Sequence, residues 1–362
     1  MTIIFQPSPD QPAPPTQRGV IKWLRDHFFS SVKNTILTFL GVGIILAIIP
    51  PLLDWFVLNA TFVGNADECR AAGGACWSFV QAQFRLFMIG SYPQELAWRP
   101  IAAGLLLLAL FIATARQLMP GKVAVVFWLL LPLPIYWLVG GGFGLESVDT
   151  SKWGGLLLTL VLSVVGILVS VPLGILLALG RRSNIKLIKG LCIALIETVR
   201  GVPLVTILFM ASIMLPLFLP SGMEIGILYR VQIGIILFSS AYIAEVVRGG
   251  LQGVESGQSE AAASLGLHPW VTMLFIILPQ ALTKVLPPLI GRCIALLKDT
   301  SLVIVVGLLD FLGISKAASQ DPEWLGFDAE AFVFCALIYW ILCFGLSRYG
   351  NSLEKRGYAA YR

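Results

Sequence analysis

The stretch "GGLLLTLVLSVVGILVSVPLGILLALG", Gly154 to Gly180, carries no ionisable side chain over its whole length. A helix rises about 1.5 Å per residue, and about 20 apolar residues cross a hydrocarbon core roughly 30 Å thick. This segment is therefore long enough to span a bilayer. Inside lipid every backbone amide must find its partner within the protein, so the segment is read as a helix. The ten-residue alternation of an outer-membrane barrel is absent. Composition agrees: 57% of residues are hydrophobic and 12% charged, with a mean hydropathy of +0.86. That leaves too little polarity to cover a water-soluble surface. The chain reads as an all-α integral membrane protein.

Similar blocks recur on both sides, near 35–57, 101–118, 123–139, 202–219, 227–246, 283–308 and 330–346, which with the first makes about eight spans. An even number places both ends on one side. Lys and Arg accumulate on the cytoplasmic side of span ends. Arg18, Lys22, Arg25 and Lys33 precede the first span, Arg116 and Lys122 separate the second from the third, and Arg181, Arg182, Lys186 and Lys189 follow the fourth. Arg348, Lys355, Arg356 and Arg362 close the chain, whereas the opposite loops hold scattered cations such as Arg70, Lys152 and Arg230. Both termini are expected in the cytoplasm, and the net charge of +5 is read as topology, with no nucleic-acid partner implied.

Residues 1–33 begin with a polar, Pro-rich run that lacks a signal-peptide apolar core and reads as a cytoplasmic tail. Residues 351–362 form a second such tail. Cys69 and Cys76 fall in the first outward loop, where an oxidising compartment permits a disulfide. Cys192, Cys293, Cys335 and Cys343 lie in or beside apolar segments, and their spacing suggests packing, with no metal site. No Gly-x-x-x-x-Gly-Lys-Ser/Thr loop occurs, so the chain has no P-loop for nucleotide phosphates. No Ser/His/Asp grouping points to catalysis either.

Between the sixth and seventh spans, on the cytoplasmic side, lies "SEAAASLGLHPW", Ser259 to Trp270. Ser256 is placed to cap a short helix, the alanines favour it, and Gly266 interrupts it before Pro269 starts another turn. Its small side chains would let another protein approach closely; the plainer reading is a surface helix covering the inner ends of its own spans. The longer string "EAAASLGLHPWVTMLFIILP" resembles the loop of bacterial ABC importer permeases, in which Glu-Ala-Ala is followed by Gly and then Ile-x-Leu-Pro. Here those positions are Glu260, Ala261, Ala262, Gly266, Ile276, Leu278 and Pro279. The flanks "SAYIAEVVRGGLQGVESGQ" and "LLKDTSLV" look like the polar amino-acid branch of that family.

The resemblance implies a five-helix permease core over residues 150–350, preceded at 34–140 by three extra transmembrane helices, as in M-type permeases of general L-amino-acid importers. Residues 255–275 then correspond to the coupling loop that seats in a cytosolic ATPase, with Glu260, Ala261, Ala262 and Gly266 as contacts. Glu255 departs from the residue many relatives carry, which adjusts that contact. Trp270 is expected to anchor the loop at headgroup level. The partners implied are ATPase subunits holding ATP and Mg, a second permease in a homo- or heterodimer, and a periplasmic amino-acid-binding protein, all at a bacterial inner membrane. No cofactor is expected on this chain itself.

Two constellations bear on the path. "ETVRGVP" from Glu197 and "EVVRGGL" from Glu245 each place Glu three residues before Arg, so Glu197 can meet Arg200 and Glu245 can meet Arg248 on one helix face. They serve either as anchors of span ends or as a cytoplasmic gate. In "LLKDTSL", Lys298 and Asp299 sit within an apolar run, where charges are usually functional or paired. Asp299 is complementary to an ammonium, with the Thr300 and Ser301 hydroxyls adjacent; a buried structural pair is the other reading. The competing function classes are an ion-coupled secondary amino-acid transporter, which calls for inverted repeats, and a scaffold with no transport path.

Overall fold

The computed structural model describes residues 19–218, 220 and 222–359, with side chains through Lys355. The Pro-rich part of the expected 1–33 tail and the last residues of the 351–362 tail lie outside the described residues. Among those described there is no named strand; isolated bridges such as Thr61 with Cys76 are present. The principal helices are α1 (Val32–Leu53), α2 (Trp98–Ala115), α3 (Gly155–Arg181), α4 (Lys186–Arg200), α5 (Leu204–Phe209), α6 (Ile227–Gln252), α7 (Ser256–Ser264), α8 (Leu286–Asp299), α9 (Phe311–Ala318) and α10 (Asp328–Ala359).

Among the described residues six helical stretches are long and apolar enough to cross a membrane, namely Val32–Leu58, Gln94–Ala115, Gly121–Gly140, Gly155–Arg181, Ile227–Gln252 and Asp328–Lys355. A seventh is obtained if the pair Lys186–Arg200 and Leu204–Phe218, bent by 109°, counts as one. The bend follows from "GVP": Pro203 has no N–H to continue the ladder, and it pushes Val202 out of the helical region. The expected continuous span at 283–308 differs. It is broken into a short helix Leu278–Lys284, then α8, then a tighter turn Thr300–Val306. Pro287 and Pro288 cannot donate across the first break, and Gly307, at φ 87°, ends the last turn. The amphipathic helix α4, with Lys186, Lys189 and exposed Leu187, Leu191 and Leu195, occupies what the sequence reading treated as a basic joint.

The chain divides into two compact units at Ser78 and Phe79. The boundary falls inside the expected 34–140 extension, so α2 belongs to the same unit as the downstream helices. The first unit holds α1 and a small folded segment after it. There Asn65 and Glu68 form a reciprocal cap on helix Ala66–Ala72, which satisfies two amides otherwise orphaned at a helix start. Cys69 and Cys76 are joined as a disulfide with their Cα atoms 5.4 Å apart, and the Trp77 indole donates to the Phe56 carbonyl at 3.0 Å.

The second unit is built around α6. Of its most apolar window 56% is buried, against 28% for α3 and 17% for α10. Small residues allow α3 and α6 to approach closely, as transmembrane interfaces require: a Cβ built on Gly174 would stand 2.7 Å from the Ile243 Cβ. Nearer the start of α3, Leu158 and Leu162 pack with Val231 and Ile235 in one apolar cluster. At the start of α9, buried Asp310 accepts from the Gly313 amide at 3.0 Å and the Tyr339 hydroxyl at 3.1 Å. It thereby fixes the turn after Gly307 against α10.

Candidate functional site

Three helices bring charge to one end of the bundle. Arg181 closes α3, Glu197 and Arg200 close α4, and Glu245 and Arg248 lie in the last two turns of α6. Within α6, Arg248 grips Glu245 with Nε 2.9 Å from Oε2 and Nη2 on Oε1. Within α4 the corresponding Arg200 and Glu197 stand 3.9 Å apart. The two turns are then tied to each other: Arg200 reaches Glu245 at 3.5 Å, and Arg181 reaches Glu197 at 2.8 Å and Glu245 at 3.5 Å. Two carboxylates thus serve three guanidinium groups. Because its members come from α3, α4 and α6, the network ties the ends of three helices to one another. Sequence reading found four of these five residues. Arg181 was counted only toward topology, because the helix crossing that delivers it is a tertiary event.

Next along the chain comes α7. Its N-cap is Glu255, with no side-chain capping bond, and Ser256 is its first helical residue, so the expected Ser256 cap is not formed. A residue that continues the helical dihedrals cannot also turn its hydroxyl onto the following amides. Of α7 only Ala262 is buried, at 2% exposure; Glu260 and Ala261 face outward. Gly266, at φ +72° and open on its Cβ side, turns the chain, and His268 caps the following turn by accepting the Trp270 amide at 3.4 Å. Leu265 and Trp270 are exposed. The loop is held from below by Gln280 donating to Gln258 at 3.1 Å and by Lys284 donating to the Gly253 carbonyl at 2.6 Å. The result is a firmly seated short helix with nearly all of its small-residue surface uncovered.

Above it, α8 carries Lys298 and Asp299 at its far end, roughly 20 Å along the axis from its first residue. Adjacent helical residues point about 100° apart. Lys298 turns to the exposed side and Asp299 is half-buried, so the two do not share a buried environment. Thr300 is fully buried, with its hydroxyl donating to the Leu297 carbonyl at 2.8 Å, and Ser301 is half-buried beside it. Two further groups escaped the sequence reading. Tyr242 donates to the Arg200 carbonyl at 3.4 Å and lies under both Arg200 and Arg292. Arg292, inside the run "PPLIGRCIALL", was detectable by the rule that marked Lys298. A recess of about 210 Å³ between α2 and α3 is lined by apolar residues such as Ile101, Leu107, Leu160 and Val164. It offers nothing to a zwitterion. Among the described residues no cluster of His, Cys, Asp and Glu could hold a metal ion.

Residues 170–356 match the family described as binding-protein-dependent transport system inner membrane component. The inner membrane amino-acid ABC transporter permease protein YhdY of Escherichia coli (strain K12) is 46% identical, over 98% of this chain and 98% of its own length. The glutamate/glutamine/aspartate/asparagine transport system permease protein BztC of Rhodobacter capsulatus is 37% identical over 96% of this chain and 95% of its own. A solved structure described as the crystal structure of an amino acid ABC transporter with histidines has a chain 32% identical, covering 56% of this chain and 92% of that one at a TM-score of 0.50.

Proposed function

Since this chain belongs to the family of inner-membrane components of binding-protein-dependent transport systems, we propose that it is a permease subunit of an ATP-driven importer that moves L-amino acids across the bacterial inner membrane. One observation carries the reading: an amino-acid permease is similar to it from end to end, at 46% identity. The protein is a transport permease and a multi-pass membrane protein. The ion-coupled alternative is set aside by its family.

The assembly consists of this chain, a second permease, two ATPase subunits binding ATP and Mg, and a periplasmic amino-acid-binding protein, with both ends of this chain in the cytoplasm. The exposed face of α7, with Glu260, Ala261 and the Gly266 turn, supports a contact with the ATPase. Ala262 supports the helix from behind. Closure of the ATPases moves this lever; because Lys284 and Gln280 tie the loop to the helix after it, the motion passes into the bundle. The network of Arg181, Glu197, Arg200, Glu245 and Arg248 exchanges partners as the path opens inward. Asp299 receives the substrate ammonium, with Thr300 and Ser301 beside it and Lys298 toward the exposed side of α8.

Labelled amino-acid uptake into proteoliposomes holding the assembled complex tests this. Asp299→Asn is expected to lose uptake while keeping the ATPase bound, and Glu260→Ala to lose ATPase binding. Full uptake in the absence of any ATPase would overturn the proposal.

A further inference from the structure

Arg292 belongs to no ion pair among the described residues, whereas Arg181, Arg200 and Arg248 do. Its Nε and Nη2 are shielded from solvent and have no hydrogen-bond partner there. Its guanidinium carbon lies over the Tyr242 ring, 4.5 Å from the centroid. That contact stabilises the charge through the flat face of the group. The N–H donors lie in the guanidinium plane, at its edge, so stacking leaves them unanswered. Buried donors on a charged group are costly to leave unpaired. An acceptor with the fork-matching geometry of a carboxylate would complete the site.

The position of Asp299 says where that acceptor comes from. Residues 292 and 299 are seven apart on α8, which places them within about 20° of the same face and about 10 Å apart along the axis. Among the described residues no direct ion pair joins them, and Asp299 is half-buried. One stripe of α8 thus offers donors at one end and a carboxylate at the other, with a gap between. A free α-amino acid has the inverse arrangement, a carboxylate and an ammonium on the same carbon.

We infer that Arg292, braced by Tyr242, receives the α-carboxylate of the transported amino acid while its ammonium turns toward Asp299. The inference rests on the role given to Asp299 above. Both contacts are to atoms common to every α-amino acid, so this stripe fixes orientation and leaves side-chain selection to neighbouring surfaces. Tyr242 also touches Arg200, so a carboxylate that draws Arg292 aside reaches the charge network through one ring.

The test uses the complete permease–ATPase complex in nanodiscs, without the binding protein. Labelled L-glutamate, L-glutamine, L-leucine and L-arginine are screened first for import by the same complex supplied with its binding protein. The amino acid imported fastest, and its α-carboxamide, then serve as equilibrium-binding probes. The unaltered complex is expected to bind the acid at least tenfold more tightly than the carboxamide. Arg292→Gln is expected to weaken acid binding roughly ten- to hundredfold, the loss of a charge-assisted bond, and to abolish the preference. Arg292→Lys keeps a charge and is expected to keep the preference at reduced affinity. Equal binding of acid and carboxamide by the unaltered complex overturns the inference without any substitution, so a variant that fails to assemble does not protect it. Wild-type affinity and preference in Arg292→Gln overturn it too. If import proceeds normally in that case, the amino-acid permease reading survives and only the role of Arg292 falls. If no amino acid is imported, the permease reading itself falls and this inference with it.

Discussion

Glu245 is the acceptor shared by Arg181, Arg200 and Arg248, and its side chain is 24% exposed, against 52% for Glu197. Exposure decides how much each carboxylate contributes, because well-solvated ion pairs contribute little. Glu245→Gln is expected to destabilise the protein by about 1–3 kcal/mol, as charged hydrogen bonds to three partners are weakened. Glu197→Gln should cost less than about 1 kcal/mol. Thermal unfolding of the two purified variants reads the difference, and equal shifts would contradict the unequal roles. The repeated Glu-x-x-Arg-Gly was visible in the sequence because i and i+3 share a helix face. The cross-links between the two copies were not visible, since they depend on how α3, α4 and α6 cross. Arg292 was visible by its polarity alone, but its stacking on Tyr242 without an ion pair among the described residues is a property of the packed bundle. Asp310, whose partners come from α9 and α10, had no local signal beyond a capping residue before an apolar turn.

Among the elements, α7 and its turn are the most exposed to test. Gly266 adopts φ +72° with open space beside it, so substitution meets backbone strain and no clash. Gly266→Val is expected to cost roughly 1–2 kcal/mol locally, to increase proteolytic nicking between 255 and 270, and to uncouple ATP hydrolysis from uptake. Unchanged coupling in this variant would show that the shape of the turn is not transmitted. In the first unit, the disulfide closes a short loop between Cys69 and Cys76. Replacing both cysteines by Ser is expected to destabilise that segment by about 2 kcal/mol, read as faster amide exchange over residues 59–78. Exchange no faster than in the parent would contradict it. The long helices α3, α6 and α10 were legible because unbroken apolar runs have few other fates in lipid. The stretch 283–308 was not, since Pro287 and Pro288 divide what hydropathy reads as one block. Likewise α4 was hidden by its charge, which hydropathy takes for a loop.

At the scale of the whole molecule, the all-α membrane fold class could be read from the sequence, and so could a short exposed helix before α8; the count of eight spans could not, since six stretches, or seven with the bent pair, are long and apolar enough among the described residues. The division at Ser78 and Phe79 could not. It arises where Phe79 and Phe87 pack with Phe311, Phe327 and Phe334, contacts between residues more than two hundred positions apart. Those aromatics hold the segment from Phe79 to Ile89, just before α2, in the unit that also holds the charge network and Asp299. The proposed coupling is mechanical: α7 would pass force from an ATPase to the bundle. Thiol cross-linking from Ala261→Cys, an exposed position of α7, tests it most directly in native membranes, with and without trapped nucleotide. A product with the ATPase polypeptide is expected, its yield changing when nucleotide is trapped; a cysteine there that captures no ATPase in either state, in a complex still competent for uptake, would overturn the proposed coupling.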